Sequence, residues 1–509
     1  MNEMPKKDLP VPRGFFRRCF SWRSLRRTII GLLGLATLIG LVVSEENWRG
    51  KHDWGSYRRE QEAKGEQFDW TAFAPPTVPD DQNFLAAPIF TNLLGEGREG
   101  VVLSPYRSGG SSPTNAGGNW QKMRLTELKP WQTFYRNPPD ANAAKEFPIA
   151  PQPQTPAADV LFALSKFDQP VEELRQASLR PYAFVPVHYE GGINVVATSL
   201  LPYLAVTKRC AQVLQLRSVA ELADGQSTNA LNDIELLLRV SDALHSPPLL
   251  ISQLVHMAIV PFVLQPVWEG LADHRWSDQQ LIALDSALAR EDFLAEYEMA
   301  MRGERTCAIS TYEIMRHTGE MLVPDKDGNS MTVKMTWMPN AFFYQNELAF
   351  AQLYQQWLFP LVDTNSRTIS PAVWRQVDAE VQAARKHFSL YRTLARMTVP
   401  ALDTAVKRFA FAQSSIDLAR VACALERYRL AHGQYPDSLA ALEPQFITQL
   451  PHDVINGQPL HYRLRPDGLF ILYSVGWNET DDGGTVVIDQ KYGTVKWQEG
   501  DWVWQYPEK

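Results

Sequence analysis

Residues 28 to 44 read Thr28-Ile29-Ile30-Gly31-Leu32-Leu33-Gly34-Leu35-Ala36-Thr37-Leu38-Ile39-Gly40-Leu41-Val42-Val43-Ser44, and no residue of this run is charged. About 17 residues is the lower limit for a helix that crosses a hydrocarbon core at a 1.5 Å rise per residue. Lys6, Lys7, Arg13, Arg17, Arg18, Arg23, Arg26 and Arg27 precede the run, and Glu45 and Glu46 follow it. The positive-inside bias therefore predicts a cytoplasmic tail (1–27), a transmembrane anchor (28–44) and everything else on the far side. A cleaved signal peptide, with Val42 and Ser44 as the small residues before the cut, is the open alternative.

Working outward from the anchor, the formal net charge of -7 divides unevenly: the first 27 residues carry +6 and the remainder -13. An acidic bulk argues against nucleic-acid binding, which needs cationic surface to displace counterions. At 509 residues with 45% hydrophobic and 21% charged residues, the chain can bury several cores. Cys19, Cys210, Cys307 and Cys423 show neither a disulfide framework nor zinc-ligand spacing, and read as small buried hydrophobes. One Cys210–Cys307 or Cys307–Cys423 bridge stays open in an oxidising compartment. Pro247–Trp268 lacks charge, but Ser252, Gln253, His256, Pro261 and Gln265 interrupt it, so it reads as a buried helix rather than a second span.

Residues 45–156 are expected to form a charged stalk, with Trp48, Trp54 and Tyr57 among its ions, and then a Pro/Gly-rich extended region. Prolines at this density exclude long helices. Asn83-Phe84-Leu85 and Asn119-Trp120-Gln121 are the candidate anchor points of that region on the body. Residues 157–399 read as an irregular α-helical domain of six to nine helices with no fixed repeat. Ser277 with Gln280 predicts a capping box. Ser370-Pro371 opens a helix with Trp374, Val377, Val381, Ala384, Phe388 and Tyr391 on one face. Met331–Trp337 after Asp327-Gly328-Asn329 is a candidate hairpin.

Pro400 is expected to close the helical domain, and residues 400–509 to form a separate α+β domain. A long helix from about Asp403 to His432 carries Leu418, Val421, Ala422, Leu425 and Tyr428 on one side and ends at Gly433. Strands are expected at Leu460–Leu464 and Leu469–Ser474 around the type I turn Arg465-Pro466-Asp467-Gly468, then at Val486–Ile488, Val495–Trp497 and Trp502–Trp504. The fold class is thus mainly α with a C-terminal α+β domain, one long helix packed on an antiparallel sheet.

Ala424-Leu425-Glu426-Arg427-Tyr428-Arg429, His432-Gly433-Gln434-Tyr435-Pro436, Asn456 to Arg463, and Tyr473-Ser474-Val475-Gly476 leading to Asp481-Asp482-Gly483-Gly484 together resemble the soluble domain of the major pseudopilin of type II secretion systems. The resemblance covers about 105 residues. It implies a bacterial inner-membrane protein with a single pass and its bulk in the periplasm. It also implies calcium in the loop after the Tyr-Ser-x-Gly strand, where Asp481 and Asp482 match the family's acids and Asn478 is a nearby oxygen donor. A solvated acidic turn is the alternative. The chain departs from that family in the roughly 360 residues between apolar run and C-terminal helix. It also carries Phe16-Arg17-Arg18-Cys19 where a prepilin needs apolar residues. The layout is also similar to large uncharacterised families of membrane-anchored bacterial proteins ending in this module.

No GxSxG, HExxH or GxxxxGK[ST] motif occurs. His245, His256 and His274 come closest to a cluster, but spacings of 11 and 18 do not place them on one helical face. Asp292 and Glu296 stand at i, i+4, where paired carboxylates can divide acid and base work, and read more simply as an exposed acidic face with Glu298 pairing Arg302. Five tryptophans (Trp268, Trp374, Trp497, Trp502, Trp504) fall at core or strand spacing and are assigned to burial. The expected function is a non-enzymatic membrane-anchored scaffold that binds other envelope proteins. An envelope hydrolase is the alternative, and buried carboxylates or histidines converging in the helical domain would favour it.

Overall fold

A computed structural model describes residues 22–94, 102–108, 112–113, 117–187, 189, 192–324, 330–385 and 393–507. The chain is mostly helical with a few small antiparallel sheets, and it separates into two compact units. The first unit holds the described residues up to Gly65 together with Tyr312–Ala349. The second holds Glu66–Thr311 and the described residues from Phe350 onward.

In the first unit one helix, α1 (Trp22–Glu62), contains both the apolar run and the charged segment after it. Its apolar window is 0% buried, which makes it a candidate membrane anchor. The expectation of a solvated stalk beyond Ser44 needs correction. Trp54 is buried, Asn47 Oδ1 accepts from Ala341 N at 2.7 Å, and Arg58 pairs with Glu313 at 3.3 Å. A Cβ on Gly50 would lie 3.3 Å from Tyr344 Cβ, so the helices approach closely there. The charges occupy one face while Trp54 and Gly50 serve the other. Strands β1 (Glu320–Pro324) and β2 (Ser330–Lys334) pair antiparallel in this unit, earlier and longer than the expected Met331–Trp337 hairpin.

The second unit begins with the proline-rich approach, whose described residues hold the short helices α2 (Pro88–Leu94) and α3 (Leu128–Arg136) and 3-10 turns. Both expected anchor points are real. Phe84 and Leu85 are buried, and the Asn83 side chain bonds both backbone groups of Phe184, at 2.8 and 2.9 Å. Trp120 is buried with its ring 5.1 Å from that of Trp504.

Between Pro156 and Arg385 the described residues form nine α-helices: α4 (Pro156–Leu164), α5 (Asp168–Ala177), α6 (Gly192–Ala223), α7 (Ser227–Ser241), α8 (Leu250–Ala272), α9 (Asp278–Leu288), α10 (Phe293–Thr318), α11 (Asn340–Leu353) and α12 (Pro371–Arg385). Ser277 and Gln280 form the predicted capping box, with Ser277 N donating to Gln280 Oε1 at 2.9 Å. Ser370 Oγ accepts from Val373 N, as an N-cap should. Trp374 and Val377 are buried. Phe388 and Tyr391 lie outside the described residues. Helix α8 is apolar enough to span a membrane, yet 67% of that window is buried, because α6, α7 and the C-terminal helix cover it. Cys210, Cys307 and Cys423 are free and buried, as small buried hydrophobes would be, and neither bridge left open by the sequence forms; Cys19 lies outside the described residues.

Helix α13 runs Thr393–His432, with Pro400 inside it rather than closing the segment before it. Proline removes one N–H and crowds the preceding turn at a cost of about 3 kcal/mol, and a helix this deeply packed tolerates that. It is buried not on one side but nearly all round from Ala405 to Leu425, between α8, α9 and the sheet. It ends at Gly433, whose φ of +79° supplies the left-handed cap. The short strands β3 (Val362–Asp363) and β4 (Thr368–Ile369) pair antiparallel, and β5 (His461–Leu464) and β6 (Phe470–Ser474) pair across the predicted turn, with Gly468 N bonded to Arg465 O. Strand β9 (Trp502–Gln505) joins the other edge of β6, while β7 (Val486–Ile488) and β8 (Val495–Gly500) form a separate pair. Trp268, Trp374, Trp502 and Trp504 are buried, and Trp497 is half-buried.

Burial pushes the Asp417 carboxyl on α13 up to about 6, although Gln413 donates to it and cations lie nearby. The folded state then holds this proton more tightly than the unfolded chain. Stability is full below about pH 4 and falls as pH rises through 6, a cost on the order of 3 kcal/mol at neutral pH. Asp417→Asn is expected to raise Tm at pH 7.5 and to flatten the Tm profile between pH 4 and 7. An unchanged profile would remove Asp417 as its source.

Candidate functional site

The sequence places a chain break between two of its histidines: Ser246-Pro247-Pro248 cannot continue a helix. His245 therefore ends the 3-10 turn Asp242–Leu244 that follows α7, and His256 stands on the second turn of α8. The chain reverses between them, and their rings meet edge to face with centroids 5.0 Å apart. Gln253 Nε2 donates to Leu244 O across the same reversal.

Two glutamates enter from the other side. Glu291 lies in the link between α9 and α10, and Glu296 in the first turn of α10. The start of α10 is fixed by Asp292, which accepts from Leu294 N and Ala295 N, and by Gln413 of α13, whose Oε1 accepts from Phe293 N at 2.8 Å. Further along α10, Gly303 is pressed against the prolines: a Cβ there would stand 1.9 Å from Pro248 O. Glu304 caps the start of α8 by accepting from Leu250 N at 3.1 Å. These contacts bring α10 and the 246–250 reversal into register.

In the resulting cluster Glu296 Oε1 lies 2.7 Å from His245 Nε2, and Glu296 Oε2 lies 3.0 Å from His256 Nδ1. Glu291 Oε2 lies 3.1 Å from His256 Nε2, at ion-pair distance but off the line of a hydrogen bond. His245 Nδ1 lies 3.0 Å from the Asp242 carbonyl. The donor atoms of His245, His256, Glu291 and Glu296 all fall within 4.8 Å of one another. His256 is 2% exposed and Glu296 11%, whereas His245 is 39% exposed and forms the open edge. Phe293 covers the His256 ring from 4.8 Å.

A backbone carbonyl only accepts, so His245 Nδ1 carries a hydrogen and its Nε2 faces the carboxylate. In a neutral ring that nitrogen would present a lone pair to an oxygen 2.7 Å away, a repulsive arrangement unless a cation stands between them. Burial disfavours a charged His256, but Glu296 and Glu291 outweigh it and push the ring up to about 10. Burial alone would raise Glu296, yet the two imidazoles pull it down to about 2. His245 is raised as well, Glu296 outweighing its desolvation.

The expected exposed acidic face is thus half right. Glu298 does pair with Arg302, at 2.9 Å, and Asp292 pairs with Arg367 at 2.7 Å. Glu296 instead turns inward, because the first turn of α10 faces α8. His274 does not join the cluster; its Nδ1 meets Glu426 at 2.9 Å.

At the C-terminal loop, Asp481 Oδ1 accepts from Tyr473 Oη at 3.0 Å and Gly483 N at 2.9 Å, and its Oδ2 lies 3.4 Å from His461. Asp482 accepts from the Asn478 amide at 2.8 Å. The loop's carboxylates are engaged by separate protein donors, and the Asn478 oxygen accepts from Thr480 N. Asp501, close by, gathers the backbone N–H groups of Asp482, Gly484 and Thr485.

Compared with known proteins, the chain matches no family model, no curated protein and no solved structure.

Two outcomes follow. Gly303→Ala forces α10 away from Pro248 and is expected to lower Tm by about 2–4 °C, the effect of a clash worth about 2–3 kcal/mol in a unit of this size; a melt unchanged within 1 °C would disprove the contact. Chelation by EGTA is expected to leave the Tm of protein purified without chelator in Ca²⁺-containing buffer unchanged if the Asp481–Asp482 loop is a hydrogen-bonded turn, and a drop reversed by Ca²⁺ would establish the calcium site.

Proposed function

We propose that the chain is a single-pass, membrane-anchored envelope protein with a cytoplasmic N-terminus and its bulk outside. The observation that carries this is the uncovered apolar half of α1, where Leu32, Leu33 and Leu41 are all at least 60% exposed. Such a surface is stable only in lipid or against a partner. Trp22 and Trp48 are exposed at its two ends, about 39 Å apart along the helix axis at 1.5 Å per residue. That span matches a bilayer including its headgroups, with a tryptophan at each interface. Trp337, also exposed, belongs to the same unit, whose Ala341 is bonded to Asn47 just beyond the apolar run.

For the part outside, the buried His245, His256, Glu291 and Glu296 cluster supports an enzymatic reading, an envelope hydrolase. Convergent titratable groups with strongly perturbed proton affinities cluster at functional sites, where acids and bases are tuned to their task. The scaffold reading, with a pseudopilin-like C-terminal end, is supported by the long helix α13 packed on a three-stranded antiparallel sheet.

Fractionation of native membranes tests the anchor. The protein is expected to resist alkaline carbonate extraction, to keep its N-terminus by mass, and to present its bulk to protease added outside the inner membrane. Recovery of a soluble form beginning near Glu45 would replace the anchor with a cleaved signal. Crosslinking in the same membranes separates the remaining readings: a stoichiometric envelope partner favours the scaffold, and none favours the enzyme.

A further inference from the structure

We propose that His245, His256 and Glu296 form a binding site for one divalent transition-metal ion of the zinc type, with Glu291 and the Asp242 carbonyl orienting the two imidazoles. The two histidines are used asymmetrically. Each has its outer nitrogen beside an acceptor: Nδ1 of His245 is 3.0 Å from Asp242 O, and Nε2 of His256 is 3.1 Å from Glu291, off the hydrogen-bond line. Each has its other nitrogen directed inward, and both inward nitrogens meet the same carboxylate, one at each oxygen. That is the arrangement of metal-ligating histidines, in which the far N–H is held by a carboxylate or backbone carbonyl that fixes tautomer and ring angle.

The spacing fits an ion. Ligands about 2.0–2.1 Å from a metal, at tetrahedral or octahedral angles, are separated from each other by about 2.9–3.4 Å. The inward nitrogens stand 2.7 and 3.0 Å from the Glu296 oxygens, so shifts of a few tenths of an ångström admit the ion. Each inward nitrogen faces one oxygen of the same carboxylate, so a single cation between them would meet donor atoms from both rings and from Glu296. Glu291 Oε2 is buried and lacks an in-line hydrogen bond, an unpartnered acceptor 3.1 Å from the outer nitrogen of His256.

Two imidazoles and one carboxylate are the ligand set of catalytic rather than structural sites, because they leave coordination positions open for water or substrate. The open positions face the His245 edge, which is the exposed side of the cluster. The site does not depend on the membrane anchor, and it supplies the enzymatic reading with a Lewis acid.

The test uses the full-length protein in detergent, stripped with a chelator and reconstituted with Zn²⁺ or Co²⁺. One equivalent of Zn²⁺ per chain is expected, with visible ligand-field absorption for Co²⁺ at the intensity of a four- or five-coordinate site. His245→Ala and Glu296→Gln should each weaken Zn²⁺ binding at least 100-fold, whereas Glu291→Gln should retain one equivalent with 10–100-fold weaker affinity. His245→Ala alters the half-exposed ring, and the melt of its metal-free form verifies folding. Less than 0.2 equivalent of Zn²⁺ retained by the wild type, or one equivalent held with unchanged affinity by a folded His245→Ala protein, would overturn the proposal and leave a buried histidine–glutamate hydrogen-bond cluster.

Discussion

Helix α13 is covered on nearly every side from Ala405 to Leu425, and what packs on it follows from that burial. A surface helix needs one apolar stripe; a central helix needs apolar residues all round and must find a partner for every polar one. Gln413 meets this demand in two directions. Its amide nitrogen donates to Asp417 on the same helix, and its oxygen accepts from Phe293 N, an N–H that the first turn of α10 cannot satisfy for itself. One buried glutamine thus ties the central helix to the turn that carries Glu296. Arg420 does the same toward α9 through Asp285 at 2.9 Å.

The local elements were legible because their signals are local. Ser277 with Gln280, Ser370 before Pro371, Gly433 after His432, and Arg465-Pro466-Asp467-Gly468 each require only neighbours a few residues away, and each forms as read. Burial of Trp268 and Trp504 followed from spacing in the same way. Pro400 was misleading because a proline's cost of about 3 kcal/mol is small beside the burial of a forty-residue helix. The stalk was misread because counting ions in residues 45–66 hides the face that carries Gly50 and Trp54.

The cluster was not legible for a different reason. A spacing of 11 between His245 and His256 excludes a shared face only if both lie on one helix, and Ser246-Pro247-Pro248 shows that they do not. The signal was present: two histidines flanking a double proline are brought back toward each other by the reversal. Nothing local, however, indicates that Glu291 and Glu296, 35 or more residues further on, meet them. That depends on Gly303 lying against Pro248 and on Gln413 holding Phe293, contacts across 55 and 120 residues.

The second unit contains another buried ion network, and the contrast between the two bears on what the cluster is for. At Asp233, Oδ1 meets Arg175 at 2.7 Å and Oδ2 meets Arg217 at 2.9 Å, with Arg217 also reaching Asp168 at 2.7 Å. Arginine does not lose its proton in a protein, so the cations of this network are fixed, and they hold α5, α6 and α7 together. At Glu296 the same geometric role, one carboxylate with a nitrogen at each oxygen, is filled by imidazoles, whose inward positions accept either a proton or a metal ion. The use of histidine, with an acceptor placed behind each ring and one ring left at the surface, gives the site exchangeable cation positions that a purely structural pair does not need.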